Sequence, residues 1–294
     1  MEAPSLDFSR IGGSDTGAIL GISPFVGDTP VSVWARIVAH RGMPGMRAPD
    51  DKDSDPIYWG NKLEPIVLDE IEERLQVGVE RKPAPILHAD FGFDLRANPD
   101  GLVVGRKGEL VEAKTTNAFS DKVWREGVPR YYTSQADFYM AAFDAKACHV
   151  GCLVGGQRFR MHVVERNAQR EKFLMGKLVE FWRYVEDGEP PPMVSSDDVD
   201  ILYPDGSNEL VAYADEEILE DLEDYRRLRA AARAVARIRM RMGIATVLLD
   251  GRRIVATLKR GADRVGIEAM RNSHPALVRR FTFEGARTLN VKRA

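Results

Sequence analysis

Cysteine is scarce in this chain: Cys148 and Cys152 are the only two in 294 residues. Two thiols cannot build a four-thiolate zinc or iron–sulfur site. Both lie in the strand-like run ACHVGCLVGG, four apart and so on one face of a strand, where packing is their expected role. Long apolar runs are also missing. None approaches the roughly 18 residues of a membrane span, so no membrane contact is expected. The opening MEAPSLDFSR has no basic stretch followed by an apolar core, so no secretory signal is read there. A cytoplasmic protein is the expectation. No repeat or low-complexity tract is evident, and His88, His149 and His162 show no metal-like pairing.

The bulk composition, 44% hydrophobic and 30% charged, is that of a soluble globular chain long enough for one large domain or two ordinary ones. The net charge of −3 conceals a split. Of 42 Lys/Arg and 45 Asp/Glu, 18 and 4 fall from residue 225 onward, which leaves 24 and 41 before it. A basic tail on an acidic body implies contact with a polyanion, or pairing of the tail with the body of its own or a neighbouring subunit.

Hydrophobic periodicity and breakers divide the chain. RIGGSDTGAILG predicts a Gly-rich turn into a short helix, with Ser14 or Asp15 as N-cap. TPVSVWARIVAHRG predicts a helix entered at Pro30 and stopped at Gly42, and residues 43–56 read as a loop. WGNKLEPIVLDEIEERLQ is an amphipathic helix with Leu63, Ile66, Val67, Ile71 and Leu75 on one side. Strands are expected at VGVER, PILH and FDLRANP, then a helix from about Tyr131, two more strands, and a long helix over 168–187. EDGEPPPMVSSDDVD is a linker by composition. Beyond it, a helical stripe runs from 218 to 242, followed by β-like runs in ATVLLDGRRIVATLKR and FTFEGARTLNVKR around a short SHPALVRR helix. Trp59 and the Tyr131/Tyr132 pair are read as packing residues rather than base-stacking platforms.

One stretch carries chemistry. NPDGLVVGRKGELVEAK, residues 98–114, parses as a hairpin whose GRKG link joins two β-branched runs. Side chains two apart on a strand share a face, so Glu112 and Lys114 point together, with Asp100 at the foot of the neighbouring strand. Paired carboxylates suit a hard divalent cation such as Mg²⁺. A lysine beside them suits developing negative charge on a phosphoryl group. An exposed Glu/Lys pair beside a solvated turn aspartate is the bland alternative, and the motif alone is too short to choose.

Taken in order, IGGSD (11–15), WGNKLEP (59–65), NPDGL (98–102), VEAK (111–114) and YYTSQADFYM (131–140) resemble the YqaJ-like viral recombinase family, relatives of lambda exonuclease within the PD-(D/E)xK nuclease superfamily. The resemblance implies an α/β fold: a PD-(D/E)xK core with a mixed central sheet flanked by helices. It spans residues 1–190, with a linker at 191–212 and a basic α+β extension carrying a long helix at 213–294. It further implies that Asp100, Glu112 and the Ala113 carbonyl hold metal, that Glu64 completes the acidic cluster, and that Lys114 is the catalytic lysine. Gln135 lines the same site, and Ser14 with Arg10 contacts DNA phosphate. Two positions depart from the family pattern. Arg10 stands only four residues before Ser14, and Asp137 replaces the second glutamine of a QxQ helix.

The implied activity is a Mg²⁺-dependent deoxyribonuclease, with Mn²⁺ as a substitute, acting 5′→3′ on double-stranded DNA ends in phage-type recombination. The implied partners are DNA ends, further copies of the chain in a ring, and a single-strand annealing protein, in a bacterial cytoplasm. The rival readings are a nuclease of other polarity or endonuclease type, and a non-catalytic DNA-end or partner-binding module on the same fold.

Overall fold

The computed structural model describes residues 7–43, 55–87 and 91–203, then scattered positions between 216 and 227, and finally 247–250 and 253–257. The chain divides into two units, Met1–Pro204 and Asp205–Ala294. In the second, β8 (Val247–Asp250) and β9 (Arg253–Thr257) form an antiparallel hairpin with a register shift at Leu248/Leu249. The stripe from 218 to 242 lies mostly outside the described residues, as do FTFEGARTLNVKR and SHPALVRR.

The first unit is built on a five-stranded sheet in the order β2-β4-β5-β6-β7. These are Val79–Arg81, Gly101–Val103, Glu109–Thr116, Ala147–Val154 and Arg158–Glu165. All neighbours run antiparallel except β5 and β6, which pair in parallel over eight residues from Glu109↔Ala147 to Thr116↔Val154. A parallel pair needs a long crossover. Here it contains α4 (Asp121–Glu126) and α5 (Arg130–Ala142). A separate two-residue parallel pair joins β1 (Ile11–Gly12) to β3 (Leu95–Arg96). FDLRANP is thus a strand of two residues, and PILH makes a single bridge, Ile86↔Ala97. Pro83, just ahead of PILH, and Pro85, its first residue, donate no ladder hydrogen bond.

Helices cover both faces of the sheet. On one lies α3 (Asp55–Leu75), burying Val67, Leu68 and Ile71 against Val79, Val103 and Val111. It starts at Asp55, four residues ahead of the predicted Trp59, and the loop expected before it falls largely on residues 44–54, outside the described set. On the other face, α1 (Thr16–Ile19), α2 (Pro30–His40), α5 and α6 (Ala168–Asp187) enclose the larger core around Trp34, Phe138, Met140 and Leu178. Helix α2 opens on Thr29, whose side chain accepts from Ser32 N, with Pro30 at the first helical position. The described part of the segment read as linker folds onto this body. Its short helix α7 (Asp197–Leu202) packs on α2, and the buried Asp198 accepts from Thr29 Oγ1 at 2.5 Å.

Candidate active site

The floor of the site is β5. Leu110 faces the larger core while Val111 and Ala113 face α3, so strand alternation sends Glu112 and Lys114 toward α5. The ladder between β4 and β5 ends at Gly101↔Val111. One step beyond it, Asp100 Oδ2 accepts the Ala113 N–H at 2.7 Å, capping the strand edge with a carboxylate. The Ala113 carbonyl leaves the strand by that same edge. Asp100 is followed by glycine because any Cβ at 101 would stand 2.2 Å from Val79 Cγ1.

Glu112 is buried, and its Oε1 accepts from Lys114 Nζ at 2.5 Å and Gln135 Nε2 at 2.9 Å. Its other oxygen, Oε2, is buried with no hydrogen-bond partner. The Asp100 N–H lies close enough to favour the charged form a little without forming that bond. Burial first, and then the Asp100 charge, push the Glu112 carboxyl up to about 8, against the opposing pull of Lys114. Burial also raises Asp100. Lys114 is shifted the other way from what its burial alone would produce, because the Glu112 and Asp100 carboxylates outweigh desolvation and hold it charged. Its ammonium also sits 5.0 Å from the centre of the Tyr132 ring.

Glu64 reaches the same place from α3, one residue before Pro65. Burial and the neighbouring Asp100 raise its pKa, and Lys82 Nζ lies 3.6 Å from its Oε1. Five sequence-predicted residues, Glu64, Asp100, Glu112, Lys114 and Gln135, therefore come together from α3, the β4–β5 hairpin and α5. Among the described residues no three His, Cys, Asp or Glu side chains form a ready-made metal cage. The donor set still fits Mg²⁺, which takes one or two carboxylates and keeps several waters. The orphaned Glu112 Oε2 and the mutual repulsion of the acids are both relieved by a cation.

The GGSD turn is a 3-10 turn (Gly13–Asp15) running into α1. Asp15 does not cap α1 with its side chain. It reaches back to Gly12 N at 2.6 Å and pairs with Arg36 at 2.6 Å. Ser14 is exposed and caps nothing. Arg10 is engaged by Asp7 at 2.7 Å and Asp94 at 3.7 Å, so its guanidinium is already paired. The cation beside Ser14 is instead Arg96. Its Nη2, the Asp15 Oδ2 and the Ser14 Oγ lie 3.4, 3.4 and 3.8 Å from one point above Gly12. The Arg96 guanidinium sits 5.7 Å from the Phe8 ring centre, and its buried Nε and Nη1 have no hydrogen-bond partner. Nothing in the spacing of FDLRANP marked Arg96, since the short β1–β3 pairing alone brings it to Gly12. Lys82 was also missed. It takes a left-handed φ of 52° at the end of β2, directly before Pro83.

Trp59 corrects the sequence reading. It is 58% exposed, stacked edge-on with Tyr58 on the outer side of α3, and packs no core. Tyr131 and Tyr132 are half-buried, 4.3 Å apart. Asp137 turns away from the site to a two-pronged pair with Arg170 of α6, both contacts 2.8 Å. Cys148 and Cys152 are buried, unbonded thiols.

This constellation sits inside a segment with known relatives. Residues 8–146 match the YqaJ-like viral recombinase domain. The match takes in the GGSD turn, α3, the β4–β5 hairpin and α5, the elements that supply the site. The chain is 32% identical over 175 residues to Uncharacterized protein YqaJ of Bacillus subtilis (strain 168), over 58% of this chain and 52% of that protein. It thus spans about half the length of that curated relative. Among solved structures, the exonuclease LHK-Exo in complex with dAMP superposes with a TM-score of 0.50 at 16% identity, over 62% of this chain and 90% of that one. A second structure, of LHK-Exo as the alkaline exonuclease of Laribacter hongkongensis, gives 0.48 at 17% identity, over 62% and 92%. At 16% identity the likeness to the dAMP complex is one of fold, an α/β architecture with a mixed sheet between helices.

Proposed function

We propose that this chain is a divalent-metal-dependent deoxyribonuclease that cleaves DNA phosphodiester bonds at Glu64, Asp100, Glu112 and Lys114. The observation that carries the reading is the buried, partnerless Glu112 Oε2 facing Asp100 beside a charged lysine. A packing role leaves such an atom unexplained. When bound, a cation such as Mg²⁺ supplies positive charge to the phosphate and makes water more acidic. Asp100, Glu112 and the Ala113 carbonyl would hold it, with Glu64 at its side. Lys114, fixed by Glu112, faces the charge that develops on the phosphate during attack. Gln135 locks the Glu112 carboxylate from behind, and Ser14 with Arg96 offers a second phosphate contact in place of Arg10.

The finer reading is a 5′→3′ exonuclease on duplex ends, working in phage-type recombination as a ring of like subunits with a single-strand annealing protein. Its support is the YqaJ-like match and the shared fold with the exonuclease LHK-Exo.

Digestion of a linear duplex with one 5′-phosphorylated and one blocked end, strands separately labelled, tests it. Loss of the phosphorylated strand with Mg²⁺, abolished by EDTA and by Lys114→Ala, is expected. Bound but intact DNA would replace the enzyme reading with a DNA-end-binding module. Internal cuts or loss from the 3′ end would keep the chemistry and discard the polarity.

A further inference from the structure

Phe25 and Val26 stand side by side in the loop between α1 and α2, 55% and 95% exposed. The loop holds a defined shape: Gly21 and Gly27 take left-handed φ values of 64° and 79°, and Ser23 Oγ donates to Asp28 at 2.6 Å. A lone exposed apolar residue is ordinary. Here the ring leads somewhere. Phe25 meets Tyr131 edge-on with centroids 5.7 Å apart, and Tyr131 lies 4.3 Å from Tyr132. Tyr132 in turn carries the Lys114 ammonium 5.0 Å from its centre. Three contacts join a half-open aromatic ring to the lysine of the cleavage site. Helix α1 backs the middle of the ladder, since a Cβ at Gly17 would stand 3.1 Å from Tyr131 Cβ.

We propose that Phe25 and Tyr131 form a stacking site for the nucleobase of a nucleotide next to the scissile phosphate. The proposal rests on the DNA-cleavage reading of the Asp100/Glu112/Lys114 cluster. Every base presents a π-face, so such a site accepts any sequence, as a nuclease without sequence preference requires.

The test is binding of the full-length protein to a 5′-phosphorylated duplex with a short frayed end, in EDTA so that nothing is cut. Fluorescence anisotropy would compare intact DNA with DNA carrying a single abasic residue at each of the first three positions of either strand. One position is expected to weaken wild-type binding by about 5- to 150-fold, the size of one base–aromatic stack. Phe25→Ala should weaken intact DNA by a similar factor and lose the sensitivity to that abasic position. Its far-UV circular dichroism and melting temperature should match wild type, since the ring is half exposed. Equal wild-type affinity for all the abasic substrates overturns the site. So does a Phe25→Ala defect that persists undiminished on the abasic DNA, or a Phe25→Ala protein that binds normally but changes its oligomeric state. Loss of Mg²⁺-dependent digestion with the abasic pattern intact would sink the nuclease reading and leave the stacking site standing.

Discussion

At the scale of single residues, the site is a problem in burying charge. Asp100, Glu112 and Lys114 share a place from which water is largely excluded, with Glu64 at its part-buried edge, and the Lys114 charge, joined by Lys82 beside Glu64, offsets the acids. Glu112 is held up to about 8, well above its unfolded value of 4.5, and Asp100 is raised with it. A folded pKa above the unfolded one means that the folded state binds the proton more tightly. Its contribution to stability is therefore complete below pH 4.5 and is lost as pH rises from there to about 8. The metal-free protein should melt at progressively lower temperature across that window. A divalent cation competes with the same proton, so its affinity should climb by about tenfold per pH unit below pH 8 and then level off. Thermal melts with and without Mn²⁺ at pH 6, 7 and 8 check both slopes. A cation-induced stabilisation that is flat over this range would remove Glu112 from the ligand set.

At the scale of elements, glycines set how closely the site's supports approach. A Cβ on Gly13 would lie 2.5 Å from the Tyr139 ring, whose hydroxyl receives the Gln135 amide at 3.1 Å. Gln135 is the residue that holds Glu112 from α5. The GGSD turn, α5 and β5 are thus in mechanical series. Gly13→Ala should push the buried tyrosine aside and cost about 1–3 kcal/mol of stability through overpacking. It should also slow cleavage through a displaced Glu112. A second change, Tyr139→Leu, makes room for the new methyl and should return part of the stability in urea melts. If the double variant is no more stable than Gly13→Ala alone, the contact is not what makes the glycine necessary. The Asp137–Arg170 pair performs a related duty two residues on from Gln135, on the other side of α5, tying it to α6.

At the scale of the whole molecule, the site residues all lie in the unit Met1–Pro204, and the 18 Lys/Arg from residue 225 onward lie in the other. The first unit contains both hydrophobic clusters and every strand of the five-stranded sheet. It should fold and cleave when the chain is cut after Pro204. Contacts between Lys/Arg and phosphate make binding fall with salt by a slope of about 0.9 per neutralised phosphate on a log–log plot. The truncated protein should show a shallower slope than the full chain. An unchanged slope with a lost oligomer, read by light scattering, would assign the basic segment to subunit docking instead.

Much of this was legible in the sequence for a local reason. A strand's alternation places Glu112 and Lys114 together within three residues, a turn places Asp100 beside them, and 3.6-residue periodicity draws α2 and α6 almost to their ends and α3 all but its first turn. The site's outer parts were not legible because they depend on contacts between distant segments. Arg96 became the cation at Ser14 only through the two-residue pairing of β1 with β3, too short to leave a pattern. Arg10, nearer in sequence, is taken by Asp7 and Asp94. Asp137 could be assigned only once α6 supplied Arg170, and Trp59 was misread because an apolar side chain on an amphipathic helix is expected inside. The sequence by itself determined which groups could do phosphate chemistry, since residue type and strand spacing are local properties. Tertiary structure alone decided their charge states and second partners, because burial and long-range approach set those, and neither is written in any short stretch of the chain.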